Sequence, residues 1–160
     1  MRRYRLGEQQ FAMYVRNAVF GVEDSISSTV GLLSGVAAAG VDRAQILLTG
    51  LVLIFVEAFS MAVGSFLSEQ SAAEYLERAE VSPRGSIFAG MVMFASYFIA
   101  GFAPLAPYVF FEKETAFPAS VAISLGALLL LGIASARAFG TNVARSGIRM
   151  LVVGGIAVAV

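Results

Sequence analysis

Apolar residues run along this chain in blocks of twenty or so, broken by short polar turns. A block of that length can cross a bilayer core of about 30 Å as an α-helix. The pattern predicts spans over 18–39, 46–67, 87–111 and 117–136, and a shorter one over 148–160. The last would reach only about 20 Å, so it reads as a helix cut short or ending inside the membrane. A polar, acidic connector, 68–85, separates spans 2 and 3. Ahead of span 1, Phe11, Tyr14 and Val15 alternate with Arg2, Arg3, Arg5 and Arg16, the pattern of an amphipathic helix lying on a membrane surface. This segment has no short apolar run ending in small residues, so it does not read as a cleavable signal. The expected fold is an all-α integral membrane protein: one transmembrane domain of five helices with an interfacial helix at its start.

Composition agrees. The 160 residues are 58% hydrophobic and only 14% charged, whereas soluble domains carry about 25% charged residues. Lys and Arg set the orientation. With the N-terminus inside, the inner segments hold nine (Arg2, Arg3, Arg5, Arg16, Arg78, Arg84, Arg137, Arg145 and Arg149). The outer turns hold two, Arg43 and Lys113. The expected setting is a cytoplasmic membrane, that of a prokaryote, with the N-terminus in the cytoplasm. Zero net charge leaves no basic field for nucleic acid.

Against this apolar background three acids stand out. Glu23 and Asp24 sit in span 1 and Glu57 in span 2, with Met61 one turn beyond Glu57. A carboxylate near the centre of a spanning helix costs about 2.5–3.5 kcal/mol or more, and intramembrane acids mark ion or proton paths by default. Counting from the inner ends of spans 1 and 2 puts all four residues in one layer, about 10–12 Å deep for the span 1 pair. Ser25, Ser27, Ser28 and Ser60 add hydroxyls nearby. The plainer reading is a polar contact that fixes helix packing, and Met61 alone would read as an apolar gap-filler.

There is no His and no Cys. Any cation site must therefore use carboxylate, thioether, hydroxyl and carbonyl groups, which suits Fe2+ or Mn2+ better than Zn2+ or Cu2+. No catalytic triad, nucleophilic thiol or phosphate loop is present, so an enzyme is not expected. Glu69, Glu74, Glu77 and Glu80 read either as a solvated extension of span 2 or as a place where metal collects. Residues 74, 77 and 80 follow an i,i+3 pattern on one helix face. Gly31 and Gly35 form a small-xxx-small pair suited to close packing within the protomer or between protomers. Pro104 and Pro107 are expected to kink or end span 3.

Several strings resemble the vacuolar iron transporter family. Phe20-Gly21-Val22-Glu23-Asp24-Ser25 stands where that family writes Gly-x-Asn-Asp-Gly. Glu57-Ala58-Phe59-Ser60-Met61-Ala62-Val63-Gly64-Ser65-Phe66-Leu67-Ser68 resembles its Gly-Ala-x-Ser-Met-Ala-x-Gly-Glu-Tyr-x-Ser. Pro104-Leu105-Ala106-Pro107-Tyr108 is similar to its Pro-Leu-x-Pro-Tyr/Phe, and Gly132, Gly154 and Gly155 match small residues of spans 4 and 5. The resemblance implies a five-helix homodimer with a path for Fe2+, and often Mn2+, between the first two helices of each protomer, with protons moving in exchange. No resident cofactor is implied, because the metal is cargo. By position, the family's span 1 aspartate falls on Asp24 and its span 2 methionine on Met61, with Glu23 and Glu57 as auxiliary ligands or proton carriers.

The departures are Glu23 for Asn, Ser25 for Gly, Glu57 for Gly and Ser65 for Glu. An acid lost at Ser65 and one gained at Glu57 fit a relocated site. The long Glu-rich cytoplasmic insert of the vacuolar members is here only a short connector. The alternative is a non-transporting membrane scaffold that kept the fold and lost the site; it predicts that Glu23, Asp24 and Glu57 are satisfied by serine or backbone partners.

Overall fold

A computed structural model describes residues 2–159, except the side chains at 2–6, 9, 153, 154 and 157–159. The side chains of Arg2, Arg3 and Arg5, and the chain end at Val160, lie outside the described residues. Five helices follow one another: α1 (Arg2–Ala38), α2 (Arg43–Glu77), α3 (Arg84–Phe110), α4 (Lys113–Phe139) and α5 (Val143–Ala159). By length and composition α2, α3 and α4 are able to cross a membrane. The chain is an all-α membrane protein.

The interfacial segment and the first span form one unbroken 37-residue helix, about 55 Å long. No Pro or turn signal separates them, and Gly7 alone does not break a helix. α2 likewise outruns its apolar block by about three turns. The stretch from Ser68 to Glu77 continues the helix, as expected of a solvated extension, and ends where Arg78 adopts a left-handed conformation (φ 52°). Glu80 falls beyond that end, so only Glu74 and Glu77 share a helix face.

Pro104 and Pro107 do not end α3. The helix continues to Phe110, and Phe111 N–H closes it on Pro107 O at 2.9 Å. Neighbouring helices engage carbonyls of this stretch. Ser120 Oγ of α4 donates to Pro104 O at 2.6 Å. Arg43, in the first turn of α2, donates from Nε to Tyr108 O at 2.7 Å and also reaches Val109 O. The Arg43 contacts cap the last-turn carbonyls that the end of α3 leaves without helical partners.

α3 is the hub. α1 and α2 both pack chiefly on it and touch each other much less, while α5 pairs with α4. In lipid, apolar burial does not draw helices together, so small residues that permit close approach carry the packing. A Cβ at Gly90 of α3 would stand 2.9 Å from Ala62 O of α2. One at Gly21 of α1 would stand 3.0 Å from Ser96 Cβ of α3. One at Gly132 of α4 would stand 2.9 Å from Gly147 Cα of α5. Gly35 differs: a Cβ there meets nothing within 4 Å, so it makes no close helix contact inside the chain.

Candidate functional site between α1 and α2

α1 and α2 run antiparallel on α3 and touch each other much less than they touch it, and the seam left between them is the α1–α2 groove. Two polar contacts fix its register. Arg16 of α1 pairs with Glu69 of α2, and Asn17 Nδ2 donates to Ser65 Oγ at 2.8 Å. Moving one turn inward on each helix brings Gly21 level with Met61. One more turn brings Asp24 level with Glu57. Both carboxylates and Met61 are half-buried.

The floor of this layer is Tyr97 of α3, which is fully buried. Ser25 Oγ donates to Tyr97 O at 2.6 Å. The Ser28 and Tyr97 hydroxyls share a hydrogen bond of 2.7 Å. The turn of α1 that carries Asp24 is therefore pinned to α3 through backbone and side chain. One turn along α3, Gly101 lets the three helices converge: a Cβ there would stand 2.6 Å from Ile54 Cγ1 of α2 and 2.9 Å from Ser25 Oγ of α1.

Two of the four serines expected to surround the acids are thus engaged elsewhere. Ser25 and Ser28 bond to Tyr97, and among the described residues no donor hydrogen-bonds to Asp24, Glu23 or Glu57. Glu23 does not join the pair. It lines a separate crevice with Arg16, Val19, Phe20 and Phe139, because adjacent helical residues point about 100° apart. Glu23 thus shares the depth of Asp24 but lies on another side of α1. Among the described residues no group of three or more acid, His or Cys side chains is placed to hold a metal ion. A cation between Asp24 and Glu57 would need Met61, backbone carbonyls or water to complete its shell.

Of the connector acids, Glu74 accepts from Gln70 Nε2 at 2.6 Å. Glu69 and Glu77 line a cavity of about 380 Å3 with Gln10 and Met13. A crease of about 630 Å3 lies between α2 and α3 among Phe59, Val63, Phe66 and Met91, and it is apolar. It is remote in character from the acid pair and suits a lipid chain. Tyr97, Asn17 and Ser65 were not singled out as site residues from the sequence. The available signal was Tyr97 itself, since a tyrosine in mid-span needs a partner for its hydroxyl.

Residues 15–86 and 77–160 match the VIT family. The chain belongs to that family. Both matched stretches together run from the middle of α1 through α5, so they take in the groove and its floor. Among VIT relatives, vacuolar iron transporter homolog 1 of Oryza sativa subsp. japonica is 39% identical over 166 residues, spanning 93% of this chain and 71% of the relative. Vacuolar iron transporter 1 of Tulipa gesneriana is 23% identical over 91% of this chain and 83% of its own length. Vacuolar iron transporter homolog 4 of Arabidopsis thaliana is 28% identical over 93% and 81%.

Proposed function

We propose that this protein transports a divalent cation, Fe2+ and also Mn2+, out of the cytoplasm in exchange for protons, along the groove between α1 and α2. The observation that carries the reading is the Asp24–Glu57 pair: two half-buried carboxylates at one level of adjacent helices in an apolar layer, with no hydrogen-bond donor to either among the described residues. Such a pair calls for a cation or protons. Asp24 is the principal ligand and the proton acceptor, Glu57 the second carboxylate and Met61 a soft ligand one turn away. Sites made of O and S donors without His accommodate Fe2+ and Mn2+. The names of the VIT relatives support iron as cargo.

In this proposal α1 and α5 also cross the membrane, the N-terminus is cytoplasmic, the setting is the cytoplasmic membrane of a prokaryote, and two copies associate. The scaffold reading draws on the site having two acids rather than three. It is disfavoured because Ser25 and Ser28 turn to Tyr97 rather than to the acids. The deciding experiment reconstitutes the protein in liposomes and follows Fe2+ or Mn2+ uptake with and without an opposing proton gradient. Antiport predicts uptake that rises with the gradient and internal pH that changes in step with it. Uptake indifferent to the gradient would refute proton exchange, and no uptake from folded protein would favour the scaffold.

A further inference from the structure

Among the described residues only two polar contacts join α1 to α2, and both fall within one turn at the same end of the groove. They are the Arg16–Glu69 ion pair and the Asn17–Ser65 hydrogen bond. On the inner side of these contacts lie Met61 and the Asp24–Glu57 pair. On the outer side lies the 380 Å3 cavity, whose lining includes Glu69 itself, Glu77 and Met13. Glu69 thus stands on the boundary between the cavity and the groove.

The two partners of the ion pair differ in surroundings. The Arg16 side chain is 66% exposed and that of Glu69 is 13% exposed. An ion pair with one partner this exposed contributes little and exchanges readily. A guanidinium displaced from it returns to water. The more buried carboxylate needs a replacement charge, and a divalent cation arriving through the cavity supplies a larger one than arginine.

We propose that the Arg16–Glu69 pair is a gate across the mouth of the α1–α2 groove, opened when a divalent cation in the cavity takes Glu69 from Arg16. The inference rests on the transport reading above. Opening frees the ends of α1 and α2, which α3 otherwise holds separately, and leaves Asn17–Ser65 as the one remaining polar contact across the mouth among the described residues. The cation then moves from Glu69 past Met61 to Asp24 and Glu57, with Arg16 free to close behind it on the emptied carboxylate.

The test compares Mn2+ uptake into liposomes for the unaltered chain, Arg16→Ala, and the charge-swapped double variant Arg16→Glu/Glu69→Arg, each checked for folding. A gate predicts that Arg16→Ala, which keeps the carboxylate and removes its lock, takes up Mn2+ at least as fast as the unaltered chain. The swap restores the pair but presents a guanidinium to the cavity, and it should lose about tenfold or more at limiting Mn2+. A merely structural pair predicts the reverse, impairment in Arg16→Ala and rescue in the swap, and that result would overturn the gate.

A second measurement needs no comparison between folds. The chain has no Cys, so in Arg16→Cys/Glu69→Cys a reductant-cleavable bifunctional thiol reagent reacts at these two positions alone. Uptake should stop when the tether is in place and return when it is cleaved. Uptake that continues through the tether would overturn the gate. No uptake by the unaltered chain would overturn the transport reading and the gate with it. Uptake by the unaltered chain with a rescued swap would overturn the gate alone.

Discussion

Changing Gly101 to alanine adds a single methyl group where α1, α2 and α3 meet. The new carbon would stand 2.6 Å from Ile54 Cγ1 and 2.9 Å from Ser25 Oγ, where carbon contacts settle at about 3.5–4.0 Å. About 1 Å must be found. Ile54 is fully buried and cannot swing away, and Ser25 is held to Tyr97 O, so the helices themselves must part. Overpacking of this kind costs about 1–3 kcal/mol. The better helix propensity of alanine returns up to about 1 kcal/mol, leaving a net loss near 1–2 kcal/mol. At roughly 2–4 °C per kcal/mol for a chain of this size, the melting temperature should fall by about 2–8 °C.

The functional effect should exceed the stability effect. Ile54 lies one turn from Glu57 and Ser25 adjoins Asp24, so parting the helices separates the two carboxylates without touching either. A misplacement near 1 Å can lower the rate of a geometry-dependent step by about a hundredfold; for a cation site, a drop in Mn2+ uptake of about tenfold or more is expected. Gly35→Ala is the control. It adds the same methyl in the same kind of helix but meets nothing within 4 Å, so stability should hold or rise and uptake should not change. Thermal melting in detergent and uptake into liposomes read both quantities. If Gly101→Ala melts and transports like Gly35→Ala, the three helices do not converge at this layer and the site geometry described above is wrong.

Other substitutions separate the roles of neighbouring residues. Glu23→Gln should leave uptake within about twofold of the parent, because Glu23 faces the Arg16–Phe20–Phe139 crevice and not Glu57; the same assay checks it. Tyr97→Phe removes the hydroxyl that meets Ser28 at 2.7 Å. Interhelical hydrogen bonds in membranes average about 0.6 kcal/mol, so a shift of about 1–3 °C is expected on melting, with a larger proportional loss of uptake as the Asp24 turn loosens. Arg43→Met strips partners from Tyr108 O and Val109 O at the end of α3. It should cost about 1–2 kcal/mol in a melting experiment while leaving uptake per folded molecule unchanged.

Much of the architecture is legible in hydropathy, because only a helix can satisfy its backbone alone in lipid. The apolar blocks over 87–111 and 117–136 correspond to α3 and α4 within a turn at each end. The ends of α1 and α2 were less so. An apolar block marks what lies in lipid, whereas helix continues into water wherever no Pro, Gly or cap stops it, as from Ser68 to Glu77. Pro104 and Pro107 do not stop α3 where they stand, and the helix runs on to Phe110; the Ser120 and Arg43 contacts on its last turns come from other helices and are not written in the local sequence. Asp24 and Glu57 could be paired from spacing and span direction alone. The same spacing does not separate Glu23 from them, because depth is shared by sequence neighbours while direction is not. Tyr97 depends on which face α3 turns to α1, a tertiary fact set by Gly21 and Gly101.

The central claim is that Asp24 and Glu57 together carry the cation. It is tested most directly by Mn2+ uptake into liposomes for the unaltered chain, Asp24→Asn and Glu57→Gln, all under the same opposing proton gradient. The account predicts uptake by the unaltered chain, loss in Asp24→Asn and a fall of about tenfold or more in Glu57→Gln, since removing either charge leaves a divalent cation only one carboxylate in a layer of low dielectric. Uptake that persists undiminished in Asp24→Asn would contradict it.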